Sequence, residues 1–366
     1  MKAQISAIGT ALPPYTLPRK SAAEAHVNAL GAEGAMETRI QAIHRASGIQ
    51  QRHSVVPDFS DNGMDPELFP PGFQGDYPGT NTRMAKYRLT ALPLAKQAIE
   101  QCLAQQDRVQ AKDITHLVTV SCTGMYAPGL DIDLVQALNL PHQVQRTAVN
   151  FMGCYGAFPG LKLAHAACLA NPKAKVLVVC VELCSLHFQQ SDDEDTLLAM
   201  ALFGDGAAAV LVEGSEGQPG LVMEAFYNDL APEGANDMAW KIGDFGFEMR
   251  LSAYVPQVIE KGIAPLTERL LEHLPVQLSD IRHVAIHPGG RSILQAIERQ
   301  LHLSPEQNEA AYGVLRECGN MSSPTVLFVL KRVWDSLTAA DQGAPILSFA
   351  FGPGLTLESS LYRYQA

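Results

Sequence analysis

Three residues, Cys154, His287 and Asn320, have the types and local settings that acyl transfer through a thiol requires. Cys154 stands in Phe-Met-Gly-Cys-Tyr-Gly-Ala-Phe-Pro-Gly, where small residues precede an apolar-periodic helical segment. A thiol at a helix N-terminus meets unpaired backbone N–H groups and the positive end of the dipole. Both favour thiolate, lowering the pKa from roughly 8.5 toward neutrality. Pro159 removes a helical hydrogen bond, so regular helix is expected only from about Phe158. His287 follows a β-branched run in Val284-Ala-Ile-His-Pro-Gly-Gly290, where Pro288 bars helix and two glycines let a ligand approach the backbone. Asn320 precedes Met-Ser-Ser-Pro, and its neutral amide can donate to a developing oxyanion without entering proton transfer. Each residue also has a plain structural reading: a buried core cysteine, a satisfied histidine, a helix-capping asparagine.

The positions of all three follow from an internal duplication. Asp113-Ile-Thr-His-Leu-Val-Thr-Val-Ser-Cys-Thr-Gly124 parallels Asp280-Ile-Arg-His-Val-Ala-Ile-His-Pro-Gly-Gly290, each a polar lead-in, a strand-like run and a glycine. About 40 residues after each start comes a Gly-X pair opening a helix, Gly153-Cys154 in one half and Gly319-Asn320 in the other. A further strand follows each helix, Val176-Leu-Val-Val-Cys180 and Ile346-Leu-Ser-Phe-Ala350. Right-handed crossovers put the loops after parallel strands on one rim, so the three candidates converge there. The expected class is α/β in two halves, residues 1–213 with the cysteine and 214–366 with the histidine and asparagine. The polar stretch Glu213-Gly-Ser-Glu-Gly-Gln-Pro-Gly220 is the expected link, and the Pro/Gly-rich residues 57–83 read as a long surface loop.

Composition narrows the function. A chain of 366 residues with 47 % hydrophobic content buries a large core. A net charge of −11 disfavours nucleic-acid or anionic-membrane partners, which need a basic footprint. The N-terminal residues lack the pattern of a signal peptide and no apolar run reaches span length, so a cytoplasmic protein is expected. The 7 cysteines contain no CxxC pair, which indicates neither a disulfide framework nor a metal site.

Cys154 in its Gly-Cys-helix setting, Leu202-Phe-Gly-Asp-Gly-Ala-Ala208, Ile286-His-Pro-Gly-Gly290, Gly319-Asn-Met-Ser-Ser323 and Phe351-Gly-Pro-Gly-Leu355 together resemble the chalcone-synthase family, the type III polyketide synthases. The resemblance implies a thiolase-like fold of two duplicated halves in an αβαβα five-layer arrangement. It implies catalysis by Cys154, His287 and Asn320, a gating phenylalanine at Phe203, acyl-CoA and malonyl-CoA as substrates, no metal or redox cofactor, and a C2 homodimer built around the segment from Cys122 to Gly129. The family's second gating phenylalanine is Met249 here. Of the family's basic residues toward the CoA phosphates only Arg39 matches, with Arg45 and Arg52 the nearest substitutes; Gly289 and Gly290 complete that side.

Cys184, His187 and Trp240 match pocket-lining positions of plant members but differ in type, and Thr123, Ser322 and Pro353 are further substrate-binding candidates that the resemblance implies. The indole of Trp240 stands where those enzymes have glycine and narrows the cavity for a bulky aromatic starter, while Cys184 leaves room for a narrow apolar tunnel. A fatty acyl starter, giving an alkylpyrone or alkylresorcinol-type product, is the favoured reading. The rivals are a ketoacyl synthase that initiates fatty-acid synthesis and a catalytically silent thiolase-fold partner subunit.

Overall fold

The computed structural model describes residues 2–60, 67–69, 77–215, 217–235 and 237–366. The first half runs β1 (Ala3–Ala11), β2 (Tyr15–Pro18), α1 (Arg19–Leu30), α2 (Ala35–Ala46), β3 (Gln51–Ser54), α3 (Thr80–Leu103), β4 (His116–Ser121), α4 (Leu130–Ala137), β5 (Gln145–Asn150), α5 (Ala157–Ala170), β6 (Lys175–Leu183), α6 (Glu194–Leu202) and β7 (Asp205–Gly214). The second runs β8 (Gly220–Leu230), β9 (Met238–Gly243), β10 (Gly246–Leu251), α7 (Val255–Leu271), β11 (His283–Ile286), α8 (Arg291–Leu301), α9 (Glu309–Cys318), α10 (Thr325–Ser336), β12 (Pro345–Gly352) and β13 (Thr356–Gln365).

The duplication read from sequence is present in three dimensions. Strands are ordered β11-β12-β13-β8-β1-β7-β6-β4-β5, so β8, β13, β12 and β11 repeat β1, β7, β6 and β4 outward from the middle. The halves join through a short antiparallel ladder in which Ala3, Gln4 and Ile5 face Met223, Val222 and Leu221. β4 pairs parallel with β6, and β11 with β12. Even the lead-in recurs: a 3₁₀ turn with a capping box, Gln110 with Asp113 and Gln277 with Asp280, precedes β4 and β11.

Helix α10 is buried along most of its length and packs against both halves, because Val326, Leu327, Phe328, Val329 and Leu330 leave almost no polar side. α5 lies beside it, its Lys162 reaching Glu358 of β13 at 2.6 Å. These two helices form the middle layer of the αβαβα stack. α3 covers the far face of the first half and α7 that of the second.

Two readings are corrected. Glu213 and Gly214, assigned to the link, are the last residues of β7, paired with Gln4 and Ala3; the buried Glu213 carboxylate is held by Arg108 and Lys175. The segment 57–83 is not all surface loop: α3 starts at Thr80, and Phe69 is buried against Ala29 and Phe188 because its ring finds an apolar pocket. Residues 61–66 and 70–76 of that segment lie outside the described ones. All seven cysteines are free and buried. Among the described residues no helix is long and apolar enough to cross a membrane.

Candidate active site

Cys154 sits on a 3₁₀ turn, residues Gly153–Tyr155, and α5 becomes regular only at Ala157, as Pro159 requires. His287 ends the β11 edge, its backbone N–H donating to Phe349 O at 2.8 Å. Asn320 follows α9 and forms a parallel bridge with Phe203. The three meet in one apolar chamber, walled by Phe203, Met238, Trp240, Met249, Leu251, Ile293, Gly289, Phe351, Pro353 and Cys122. Its free volume is about 20 Å³, room for one or two waters, so an acyl chain enters only if wall side chains move. Met249, unbranched and soft, is the wall residue best able to yield.

The Asn320 amide has a defined orientation. Its Oδ1 accepts the Ser322 N–H at 2.8 Å, which turns Nδ2 toward Gly289 O at 3.3 Å and Cys154 Sγ at 4.0 Å. The second Nδ2 hydrogen is thereby aimed at the space beside the thiol. Neither ring nitrogen of His287 has a partner among the described residues. Burial pushes the Cys154 thiol up to about 12 and the His287 imidazole down to about 3. Ser322 and Asn320 pull the thiol back by hydrogen bonding, while the Glu182 charge pushes it higher. In an apolar chamber a single charge is costly, whereas moving the thiol proton to His287 creates two opposite charges whose attraction opposes part of the cost of desolvating them. The helix-terminus acidification expected from sequence is therefore outweighed by burial, and thiolate depends on a proton acceptor within the chamber.

Trp240 is a fixed wall. Its Nε1 donates to Cys122 O at 2.5 Å, and its ring meets those of His187 and Phe247 edge-on at 5.5 and 5.9 Å. His187 does not line the chamber. It lies behind the indole, stacked on Phe247 at 4.3 Å, with Nε2 at 2.7 Å from Thr123 O and Nδ1 accepting from Phe247 N. Burial holds its pKa down near 3, as befits a neutral ring used for packing. Thr123 is also set back, because its hydroxyl donates to Glu182 Oε2 at 2.8 Å and accepts from Leu183 N at 2.9 Å. Cys184 is only 8 % exposed and lies outside the chamber lining. Ser322 does not line it either; its Oγ lies 3.4 Å from Cys122 Sγ, behind the two thiols.

A groove of about 710 Å³ lies outside the chamber and shares Leu251, Gly289 and Ile293 with it. Gly290 and Arg291 line its floor at the start of α8. Arg39 does not line this groove; it pairs with Glu194 of α6 at 2.8 Å. Arg52 is 7 % exposed and points inward.

Sequence reasoning passed over several residues. Cys122 is a second thiol in the chamber, and Glu182, fully buried, accepts from Cys122 N at 2.9 Å and Ser323 Oγ at 2.5 Å, tying the two halves together behind the nucleophile. Met238 and Leu251 had a readable signal, since with Trp240, Phe247 and Met249 they alternate onto one face of the β9–β10 hairpin. Arg291 had one too, directly after Gly289-Gly290 at a helix start.

Family models agree with this geometry. Residues 1–216 match the N-terminal domain of chalcone and stilbene synthases, and residues 222–365 match the C-terminal domain. The chain belongs to the chalcone and stilbene synthase family. It is a type III polyketide synthase, an acyltransferase of thiolase-like fold, and members of this family condense acyl-CoA with malonyl-CoA. Among its relatives is the α-pyrone synthesis polyketide synthase-like Pks18 of Mycobacterium tuberculosis, 32 % identical over 98 % of this chain and 91 % of that protein. Another is the 1,3,6,8-tetrahydroxynaphthalene synthase of Streptomyces peucetius, 30 % identical over 98 % and 93 %. The crystal structure of PKS-I from the brown alga Ectocarpus siliculosus superposes with a TM-score of 0.93 at 31 % identity, covering 99 % of this chain and 98 % of that one. The type III polyketide synthase domain of Steely1 from Dictyostelium gives 0.90 at 28 %, with full coverage of both.

Proposed function

We propose that this type III polyketide synthase uses Cys154, His287 and Asn320 to extend a fatty acyl-CoA with malonyl-CoA, giving an alkylpyrone or alkylresorcinol-type product. The observation that carries the reading is the meeting of a thiol, an imidazole without a partner among the described residues and an oriented amide in one apolar chamber beside a groove. His287 accepts the Cys154 proton, the thiolate attacks the starter thioester, and CoA leaves with that proton. Malonyl-CoA then loses CO₂, and its enolate oxygen takes hydrogen bonds from Asn320 Nδ2 and His287. The enolate carbon attacks the acyl-Cys154 carbonyl, forming the new C–C bond and expelling the Cys154 thiolate. This chemistry calls for no metal or redox cofactor. Arg291, at the start of α8 in the groove, is the cation we assign to the CoA phosphates in place of Arg39.

The fatty acyl assignment draws support from the apolar walls at Met238, Met249 and Leu251 and from the α-pyrone chemistry named for the mycobacterial relative. Cys184 is not among the residues lining the chamber, so a tail reaches it only if wall side chains move. A starter screen from acetyl-CoA through long acyl chains to coumaroyl-CoA, with products read by mass, tests this. Preference for chains of about eight carbons or more is expected, with Trp240→Gly changing relative starter preference about tenfold toward longer or bulkier chains. Clear preference for coumaroyl-CoA overturns the starter assignment. Intact Cys154, His287 and Asn320 weigh against a silent partner subunit.

We also propose a C2 homodimer. Met125 is 42 % exposed in the loop after β4, and β5, at the edge of the sheet, is exposed along residues 145–148; a twofold partner would cover both. Light scattering at micromolar protein is expected to give twice the chain mass; the mass of one chain contradicts the dimer.

A further inference from the structure

We propose that Arg52 is a positioning residue that clasps the Phe203 gate and the Asn320 donor into a single unit, an inference that rests on the roles given to those two residues above. Arg52 lies on β3, far from the chamber in sequence and absent from its walls. Its Nη1 donates to the carbonyls of Met200 at 2.6 Å and Phe203 at 2.7 Å, groups that α6 leaves unpaired at its C-terminal end. A guanidinium at the negative end of a helix dipole makes charge-assisted bonds, roughly twice as strong as neutral ones.

From those carbonyls the connection runs directly to the amide donor. Leu202 O accepts the Asn320 N–H at 3.0 Å, and Asn320 O accepts the Gly204 N–H at 2.9 Å, so Phe203 and Asn320 share one backbone bridge although they come from opposite halves. The Arg52 stem threads between the glycines that flank this bridge. A Cβ on Gly319, whose φ is +71°, would stand 2.8 Å from Arg52 Cγ, and one on Gly204 would stand 3.2 Å from Arg52 Cβ. Side chains at either position would displace the arginine. The corridor is shaped for it, and its charge is spent on the carbonyl of the gating residue itself. Among the described residues no carboxylate is hydrogen-bonded to it; Asp205, close enough to attract its charge, accepts its hydrogen bonds from Val55 N and Ser185. Loss of the clasp frees the end of α6, lets the bridge slide and moves the Asn320 amide relative to Cys154. Cys154 itself stands on a separate turn in front of α5 and is not tied to Arg52.

Two half-reactions therefore separate. In Arg52→Met, the turnover number for malonyl-CoA decarboxylation is expected to fall about 10-fold to 100-fold, the scale of a displacement near 1 Å. Acyl loading of Cys154, followed by intact mass, is expected to stay within about twofold. Arg52→Lys, which keeps the charge but not the planar fork, is expected to restore part of the decarboxylation. Circular dichroism and thermal melting establish that each variant is folded. Equal loss of both half-reactions, or loss of neither, in a folded Arg52→Met protein overturns the inference. If Arg52→Met does not fold, Gly204→Ala and Arg52→Lys carry the test, with the same split expected at smaller amplitude and its absence overturning the idea. Asn320→Ala, run in parallel, separates the two levels: if it leaves decarboxylation intact, the role of Asn320 fails first; if it abolishes decarboxylation while the Arg52 variants do not change it, the clasp alone fails.

Discussion

With Cys154 replaced by alanine, intact protein incubated with an acyl-CoA is expected to gain no acyl mass, and product formation is expected to fall by about 10³-fold or more, as when the nucleophile of a covalent mechanism is removed. Decarboxylation of malonyl-CoA is expected to persist at a measurable rate, because in the proposed mechanism the enolate needs only the donors on Asn320 and His287. The chamber makes this a sharp test, since a second thiol, Cys122, lines it as well. Burial raises the pKa of Cys122 well above the ordinary thiol value, Glu182 adds to that rise, and its backbone N–H is held by the same carboxylate. Cys154 stands next to the oriented amide, whose hydrogen bond draws its pKa down against the burial. Peptide mapping after loading is therefore expected to find the acyl group on Cys154 alone. An adduct on Cys122 or Cys184 in the wild-type protein would relocate the nucleophile.

Replacing Asn320 with alanine is expected to lower malonyl-CoA decarboxylation by about 10²-fold to 10³-fold, the usual loss for one preorganised oxyanion donor. Starter loading should change far less. The reason lies in the geometry of one amide: the Ser322 N–H occupies Oδ1, so Nδ2 is presented to the chamber before substrate arrives and no reorganisation accompanies the reaction. The chamber is apolar and narrow, so a hydrogen bond to the enolate acts at low dielectric and is worth more than in water. Steady-state CO₂ release, measured beside acyl loading on the same preparations, checks this. Equal loss of both activities would mean that Asn320 shapes the chamber without stabilising the enolate.

Much of the framework was legible in the chain. Strand-like runs ending in glycine, repeated about 40 residues apart from Gly-X helix starts, were enough to place Cys154, His287 and Asn320 on one rim. Local rules suffice there, because a parallel strand must end at that rim and a buried run of Val, Ile and Ala has no other place to go. The late start of α5 after Pro159 was readable for the same reason, being a matter of one missing N–H.

The direction of side chains in the turns was decided only by tertiary partners. Thr123, His187, Cys184 and Ser322 occupy positions next to strand or helix ends, where the period-2 alternation of a strand no longer assigns a face. Thr123 is turned away by Leu183 N, 60 residues distant, and Arg52 is drawn inward by Phe203 O, 151 residues distant. Arg39 is taken by Glu194 of another helix, while the groove holds two arginines, Arg299, paired with Glu260 at 3.1 Å, and Arg291 at the start of α8. Composition and local periodicity thus determined which elements form and which rim holds the chemistry. How the walls close, which polar groups are consumed by buried partners, and which remain free to meet a substrate depended on contacts between elements far apart in the chain, inside the first half for Thr123, Arg39 and Arg52 and between the halves for Trp240 with Cys122 O and Asn320 with Leu202 O, because a buried hydrogen-bonding group takes whatever partner the fold brings within about 3 Å.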